Sequence, residues 1–440
     1  MVSERTPRRI RPAGALRVLA LAGLAAVLPL AAPAADYHVA AQGGGGGDGS
    51  AGAPWPGIAA ALASGRLAGG DRLLLAAGEY GPLVIQGQDF DPPLTIASAP
   101  GGRAHVESIQ VQGSRGLTLE GLDVWPLTPT NVPNQRPGQP LVQTSPNSSQ
   151  LVFAGLDIRG RQDALTTYFN WSQQDWVSTW RAGGVMLRGP DQTLRDSVLS
   201  GVGNAIQTLG DRAQVLDNEV RGFSRDALRA FGEGTVFRGN RVQDCFKVDG
   251  SHRDGFQSWA DRKGQGIRPV VSGITLIDNV IIEWAGPPGH PLRCTMQGIS
   301  LFNGPYRNWI ISNNLVAVSA FHGIALFNGQ SSEIVNNTVV QIDGTPGIAP
   351  WIALKGNAKN NIVANNAAMK FHLPPGAALE RNNFVIGSPQ QIFMSIPQRD
   401  FRPKPGSPLV GRADPSFGDK HDLAGRPRPA RPAIGALEPP

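Results

Sequence analysis

The chain has 440 residues, with 40 Lys and Arg, 34 Asp and Glu, and a formal net charge of +6. Residues 1–34 contain five Arg and one Glu, so the remainder carries 35 basic and 33 acidic residues, a net charge of +2. This near balance does not favour a nucleic-acid partner, which would require a basic surface. The two cysteines, Cys245 and Cys294, are too few for a zinc site and could pair in an oxidising compartment.

The first 34 residues have the pattern of a secretory signal peptide. Arg8, Arg9 and Arg11 precede an apolar run over residues 13–30, and residues 32–34 read Ala-Pro-Ala, a small-residue cleavage site. We therefore expect a mature chain that begins near Ala35 and is periplasmic or secreted. No other apolar run is long enough to span a bilayer, so we expect no membrane insertion after the signal is removed.

Three segments follow the signal peptide in chain order. Residues 35–53 are Gly-rich, and we expect them to form a flexible N-terminal segment. Residues 54–400 form the predicted domain, which opens with a short helical stretch over residues 59–63. Residues 401–440 are Pro-rich, and we expect them to form a C-terminal closing segment.

One motif recurs through the domain: an Asn, a variable residue, and then an aliphatic residue. Most neighbouring copies are 22 to 24 residues apart, and the longer gaps contain insertions. A period of this length with short β-rich runs is typical of a solenoid, in which identical residues stack from coil to coil. A buried Asn at a corner can bond to the coils above and below it. The predicted Asn column contains Asn218, Asn240, Asn279, Asn314, Asn337, Asn361 and Asn383.

The segments between these Asn residues alternate with period two, which predicts half-buried strands. Examples are residues 205–209, 298–302 and 323–327, and the leucine spacing of leucine-rich repeats is absent. Over residues 70–400 this pattern resembles the pectate-lyase-like superfamily. The resemblance implies an all-β, right-handed parallel β-helix with an N-terminal capping helix and insert loops at one corner. Because that superfamily includes lyases, hydrolases, epimerases and adhesins, the resemblance leaves the function open.

Two polar columns emerge when the coils are aligned on their first strand. Both are polar and varied in the middle coils, which is unusual for a solenoid column. A charged loop with Lys247, His252 and Arg253 leads into the same region. The first column contains Asn204, Asp226, Asp254, Gln297 and His322, and the second contains Gln207, Arg229, Gln257, Ser300 and Ala325.

Three insertions, over residues 126–139, 161–182 and 285–296, leave the same corner and are expected to wall a groove beside these columns. Trp171 and Trp176 of the second insertion could stack on sugar rings, or could pack the insertion onto the solenoid. Arg293 of the third could also reach the groove. A further aromatic stripe could face outward and bind a glycan, but at a corner we expect it to turn inward and stack. Its members are Phe231, Trp259, Phe302 and Phe327.

The columns allow more than one chemistry. Stacked Asp226 and Asp254 would hold their carboxylates about 4.8 Å apart, near the spacing of a retaining glycosidase pair. The same pair could bind Ca²⁺, with Gln297 and backbone carbonyls completing the shell. A lyase instead needs a base and a cation that neutralises the substrate carboxylate. Lys247 or His252 could be that base, and Arg229 or Arg253 that cation.

The basic residues near these columns are more numerous than a hydrolase needs, and they favour a polysaccharide lyase that acts on an acidic glycan. A glycoside hydrolase, a C5-epimerase or a non-catalytic carbohydrate-binding β-helix remain alternatives. We expect a monomer that needs no cofactor other than the calcium considered above. The predicted catalytic residues are Asp226, Arg229, Lys247, His252, Arg253 and Asp254, and the predicted substrate-binding residues are Trp171, Trp176, Gln207, Gln257, Arg293, Gln297 and His322.

Overall fold

The computed structural model describes residues 34–41, 46–130, 138–260, 268–343 and 347–440. The predicted signal peptide therefore lies outside the described residues, apart from its last position. Within them, no helix combines the length and apolarity that crossing a bilayer requires. The few helices that are described are short. They are the α-helices Ile58–Ala63, Ala164–Thr167 and Pro389–Ile392, the 3₁₀ helix Tyr168–Asn170 and the π-helix Asp175–Thr179.

Nearly all other regular structure in the described chain belongs to three long sheets, and every strand pair within them is parallel. Each coil contributes one strand to sheet 1, then one to sheet 2, then one to sheet 3. Consecutive coils therefore stack strand on strand, which makes a parallel β-helix. The sheets have 11, 14 and 12 strands respectively.

The strand bounds show how short each rung is. Sheet 1 contains Pro82–Gln86, Ser108–Gln112, Pro140–Thr144, Gly183–Leu187, Ile206–Thr208, Leu228–Ala230, Asp254–Trp259, Gln297–Asn303, His322–Phe327, Trp351–Lys355 and Lys370–His372. Sheet 2 contains Asp36–Ala40, Trp55–Pro56, Arg72–Leu75, Asp89–Ser98, Arg115–Glu120, Ser149–Ala154, Gln192–Arg195, Gln214–Leu216, Val236–Arg238, Thr275–Ile277, Ile310–Ser312, Glu333–Val335, Asn361–Ala364 and Ala378–Arg381. Sheet 3 contains Gly78–Glu79, Ala104–Val106, Asp123–Val124, Asp157–Arg159, Val198–Val202, Glu219–Phe223, Arg241–Cys245, Val280–Ile282, Leu315–Val318, Thr338–Gln341, Ala367–Ala368 and Phe384–Val385. Smaller sheets contain Val271–Ser272, Tyr306–Arg307 and Gly329–Gln330, and the antiparallel pair Phe393–Ser395 and Asp400–Pro403.

The core is built from columns of apolar side chains, one from each coil. Because neighbouring strands are in register, a residue that points inward in one coil contacts its equivalent in the next. Sheet 2 supplies one such column, in which every member is at most 2% exposed. Its members are Val215, Phe237, Leu276, Ile311, Ile334 and Val363.

The predicted Asn column lies at the corner between sheets 2 and 3. From Asn240 onward, each side-chain oxygen accepts from the backbone N–H and the side-chain amide of the preceding Asn, as Asn337 does for Asn314 at 2.9 and 3.0 Å. The position of Asn361 in this column was predicted wrongly. Asn366 occupies that position instead: its side-chain oxygen accepts from the Asn337 N–H, and its own N–H donates to the side-chain oxygen of Asn383. Asn361 lies at another corner, where its side-chain oxygen accepts from the Ser332 N–H.

Both ends of the described chain contact the solenoid. The segment expected to be flexible contains the strand Asp36–Ala40, which pairs with Arg72–Leu75, so the sheet begins before residue 54. The helix Ile58–Ala63 buries Ile58 and Ala61 in the core, as a cap would. Residues 401–440 run back along the solenoid. Their carbonyls at Asp414 and His421, for example, accept from the side-chain amides of Asn365 and Asn313.

Replacing Asn314 with Leu should destabilise the protein, although the new side chain is apolar and of similar size. Asn314 is 0% exposed, and its amide donates to the carbonyls of Leu276 and Ser312. Leaving such buried groups without partners costs about 1–3 kcal/mol each. Urea unfolding should show this loss for Asn314→Leu and little change for the exposed control Asn357→Leu. Equal free energies of unfolding for the two variants would contradict a stabilising role for the Asn column.

Candidate active site

Sheet 1 aligns the predicted polar residues in two columns, with the register expected from the sequence. The strand pairs place Gln207, Arg229, Gln257, Ser300 and Ala325 side by side in adjacent coils. The other column stands at the entry to the strands, where Asp254 pairs with Gln297. It contains Asn204, Asp226, Asp254, Gln297 and His322.

Asp226, His252 and Asp254 form the centre of the site, and one side-chain N or O atom from each lies within 4.8 Å of the others. His252 Nδ1 is 2.9 Å from Asp254 Oδ2, and the Asp254 N–H donates to Asp226 Oδ1 at 3.1 Å. Both carboxylates are buried, whereas the His252 side chain is 62% exposed. The imidazole therefore links a buried carboxylate to the surface. Among the described residues no group bonds to its Nε2 atom.

The loop that carries His252 is anchored at both ends. A disulfide joins Cys245, at the end of a sheet 3 strand, to Cys294 of the third insertion. The Arg253 guanidinium donates to the carbonyls of Ser224 and Phe246 at 3.2 Å each. Arg253 is only 3% exposed, so it braces the loop from inside and does not face a substrate carboxylate, contrary to the expectation from the sequence.

Arg229 is the cation next to the buried carboxylates. Its Nε donates to Asp226 Oδ2 at 2.7 Å, and one terminal nitrogen donates to Gln207 Oε1 at 3.2 Å. The guanidinium carbon lies 5.3 Å from the centroid of the Trp259 ring. These contacts fix the guanidinium on the outer face of sheet 1, where its side chain keeps 19% exposure.

Burial and the neighbouring charges shift the proton affinities of this centre. Burial raises the pKa of the Asp226 carboxyl, and the charge of Arg229 only partly opposes that shift. The hydrogen bond to Asp254 raises the pKa of His252 above its ordinary 6.5. Burial, aided by the charge of Lys355, lowers the pKa of His322. The pKa values of the two histidines are thus shifted in opposite directions, so His252 holds its proton to a higher pH than His322 does.

Calcium does not fit the donor set at Asp226 and Asp254. Ca²⁺ takes six to eight oxygen ligands, but Arg229 and the Asp254 N–H already engage the Asp226 oxygens. The oxygen of Gln297 is likewise occupied, 2.8 Å from His322 Nδ1. Asp254 Oδ1 alone is buried without a hydrogen-bond partner among the described residues of this centre. A guanidinium and an imidazole thus occupy the places where a hard cation would need oxygen atoms.

Two predicted residues are not part of the centre. Lys247 is exposed, and its backbone N–H donates to the Leu292 carbonyl. No hydrogen bond or ion pair in the described chain joins its side chain to the carboxylates. Arg293 was predicted to contact substrate, but it is bound to Glu283 at 2.9 Å and to Asp343 at 2.6 Å. It therefore belongs to a separate charged cluster of the third insertion.

The prediction that Trp171 and Trp176 contact substrate is also corrected. Each is 3% exposed, and their rings lie 4.9 Å apart within an apolar cluster that includes Phe246 and Trp284. Rings buried in this way are not available to a sugar. The second insertion instead packs its aromatic residues onto the solenoid, which was the alternative that the sequence left open.

The outer face of sheet 1 continues as a polar groove toward the N-terminal coils. Gln110 pairs with Gln143, and both lie in the same column as Met186 and Gln207. Amides can both donate to and accept from hydroxyl groups, which suits a sugar-rich ligand. The groove is lined by Gln86, Gln110, Gln112, Gln143, Ser145, Asn147 and Arg188.

In the opposite direction, the entry column continues past His322 to Trp351, a residue that the sequence analysis missed. Trp351 begins the strand Trp351–Lys355, whose pattern repeats that of His322–Phe327. Aligning this coil with the preceding one would have extended the column by one member and identified both Trp351 and Lys355.

Comparison with known proteins identifies the architecture. A family model described as a right-handed beta helix region matches residues 177–384. The pectate lyase Pel9A has a similar structure, with a TM-score of 0.52 and 15% sequence identity, covering 92% of this chain and 96% of that one. The protein is a right-handed parallel β-helix. The predicted fold is thereby confirmed.

Two further solved structures have lower TM-scores than Pel9A. A family 6 polysaccharide lyase from Pseudopedobacter saltans has a TM-score of 0.45 and 14% identity, covering 73% of this chain and 89% of its own. A GH136 lacto-N-biosidase from Eubacterium ramulus has a TM-score of 0.43 and 11% identity, covering 80% and 68%. A comparison with curated proteins gave no match. At 15% identity the similarity to Pel9A supports the fold alone and does not decide the reaction.

Replacing Asp254 with Asn should lower the pKa of His252, because the carboxylate that stabilises the imidazolium is removed. Histidine NMR can measure this titration, with His252→Gln used to assign the signal. The wild-type imidazole should titrate above 6.5 and the Asp254→Asn protein below the wild-type value. Asp89→Asn, which changes a 74% exposed side chain far along the chain, serves as control. An unshifted His252 in Asp254→Asn would contradict the pairing.

Proposed function

We propose that this β-helix is an extracytoplasmic polysaccharide lyase that cleaves a uronate-containing glycan by β-elimination. One arrangement carries the proposal. An exposed imidazole, His252, is hydrogen-bonded to the buried Asp254, and the guanidinium of Arg229 is held on the neighbouring coil. A base and a cation on one surface are the two groups that elimination from a uronate requires.

Arg229, His252 and Asp254 have different roles in the proposed reaction. Arg229 binds the carboxylate on C5 of the uronate and stabilises the negative charge that develops there. The His252 Nε2 atom accepts the C5 proton, while Asp254 holds the ring through Nδ1 and stabilises the imidazolium. The electron pair of the C5–H bond forms the C4–C5 double bond, and the bond from C4 to the glycosidic oxygen breaks. That oxygen leaves with its electron pair and takes a proton from water.

The buried carboxylates argue against the retaining-hydrolase alternative. Its nucleophile must reach the anomeric carbon, but Asp254 is 0% exposed and Asp226 is 2% exposed. An epimerase would begin with the same proton abstraction, so the first step alone does not separate it from a lyase. Arg229 and the absence of an accessible carboxylate pair at the described centre favour chemistry at an acidic sugar.

Sheet 1 offers a path for a long substrate. The amide-lined groove around Gln110 and Gln143 shares the outward column with Gln207 and Arg229. A glycan that lies along the solenoid axis would place its hydroxyl groups against these amides, with one uronate at Arg229. This supports a polymeric substrate over a small free sugar.

The decisive experiment incubates the purified protein with a panel of uronic-acid and neutral polysaccharides. Absorbance from a new unsaturated bond supports the lyase. New reducing ends without that absorbance indicate hydrolysis, and sugar inversion seen by NMR without cleavage indicates an epimerase. Retention of a glycan without any product indicates a binding protein.

His252→Gln should reduce the turnover number on the true substrate roughly 10²- to 10⁴-fold, the usual contribution of a general base. Initial-rate absorbance assays can measure this loss, with circular dichroism to verify folding. His421→Gln, at an exposed position in the C-terminal segment, is the matched control and should turn over like wild type. If Lys247→Ala loses the activity and His252→Gln keeps it, Lys247 is the base and our assignment is wrong.

Turnover should not require calcium, because Arg229 already serves as the counter-ion of Asp226. Dialysis against a chelator should therefore leave the initial rate within about twofold, a change of less than 0.5 kcal/mol in activation free energy. Loss of activity that added Ca²⁺ restores would show that the arginine gives way to a metal ion.

A further inference from the structure

Sheet 1 carries an exposed aromatic surface on the C-terminal side of the site. We call it the aromatic–lysine patch, and define it as Phe321, Phe327, Trp351 and Lys355. Phe321 is 51% exposed, and it is the one aromatic ring among the large apolar side chains that are exposed in the described chain. A contiguous exposed apolar surface, in contrast to a single exposed side chain, can mark the binding site of a ligand or partner.

Two rings of the patch stack on each other across neighbouring coils. Phe321 and Trp351 lie in adjacent coils with centroids 5.5 Å apart and planes inclined by 17°. The Trp351 N–H donates to the Phe321 carbonyl at 2.8 Å, which holds the two backbones together. Phe321 is the exposed member of this stacked pair, so its ring is accessible to the apolar C–H face of a pyranose, which stacks on the electron-rich face of an aromatic ring.

Lys355 adds a positive charge beside this platform. Its Nζ lies 5.2 Å from the Phe327 centroid and 5.6 Å from the Trp351 centroid. Among the described residues no carboxylate pairs with this ammonium group. Lys370 is the strand neighbour of Trp351, so a second cation stands nearby. The charge of the patch is thus uncompensated within the protein, which complements an anionic ligand.

The patch is in line with the proposed centre. The entry column runs from Asp254 through Gln297 and His322 to Trp351. Three strand spacings separate Asp254 from Trp351, a distance of about 14 Å. A short oligosaccharide spans such a distance, so one glycan chain can occupy the centre and the patch together.

We infer that the aromatic–lysine patch is a distal subsite that binds a uronic-acid unit of the polysaccharide, with its ring against the stacked pair of Phe321 and Trp351 and its carboxylate at Lys355. The inference rests on the proposed function for the identity of the glycan. Binding at the patch nevertheless requires no turnover, so it can be measured separately. A second copy of this chain on the same rings is the competing occupant.

The test measures binding in the His252→Gln background, which prevents turnover. Isothermal titration with the acidic polysaccharides of the panel gives the dissociation constant of each variant. Phe321→Ala and Lys355→Gln should each weaken binding roughly threefold to tenfold, the range expected for an exposed stacking or charge contact. Val385→Ala, at a 59% exposed position, and Lys359→Gln, at an exposed one, are matched controls that should bind like the parent.

Two further readouts separate this inference from the proposed reaction. Saturating glycan should change the tryptophan emission of the parent more than that of a Trp351→Phe variant, in which only tryptophans outside the patch can respond. Lys355→Gln should lose affinity for acidic glycans and keep it for their esterified forms. Unchanged affinity of Phe321→Ala and Lys355→Gln, or no binding of any acidic glycan by the parent, would overturn the subsite. Concentration-dependent dimerisation that Phe321→Ala abolishes would assign the patch to a second copy instead.

Discussion

Backbone hydrogen bonding between successive coils governs the rest of this structure. Because each strand pairs in parallel with the next, an identical position recurs about 4.8 Å further along the axis. Core columns, the Asn column and the polar columns of sheet 1 are all consequences of that repeat. A site can therefore be made by changing the side chains of two or three adjacent rungs, while the backbone remains that of an ordinary coil.

The candidate centre combines this regular scaffold with one irregular element. Sheet 1 supplies Asp226 and Arg229 at positions that every coil possesses. His252 comes from the loop between sheets 3 and 1, whose shape the repeat does not determine. The Cys245–Cys294 disulfide and the buried guanidinium of Arg253 hold that loop. Rigid support of this kind is needed if a base is to keep its place relative to a substrate bound on the sheet.

Features that recur in every coil could be predicted from the sequence, whereas the insertions and loops outside the repeat could be predicted less well. Fold, strand register and most of the Asn column follow from a period that is visible in the residues. Asn361 was misplaced because Asn recurs at more than one corner, and local spacing does not say which. The predictions that Trp171 and Arg293 contact substrate were wrong for a related reason. An insertion has no equivalent in the neighbouring coils, so its sequence does not show whether it folds over the groove or onto the outer face of sheet 3. The role of His252 remains a prediction.

The charge balance of the centre links binding to protonation. Two neighbouring buried carboxylates are costly unless a cation and hydrogen bonds compensate them, and here the Arg229 guanidinium and the His252 imidazole N–H do so. A substrate carboxylate that approaches Arg229 shares the guanidinium with Asp226. Because burial raises the pKa of Asp226, its carboxyl can take up a proton as its counter-ion is drawn toward the substrate. The charge of the buried carboxylates then stays compensated. Arg229 can therefore stabilise the folded protein and also bind an acidic ligand.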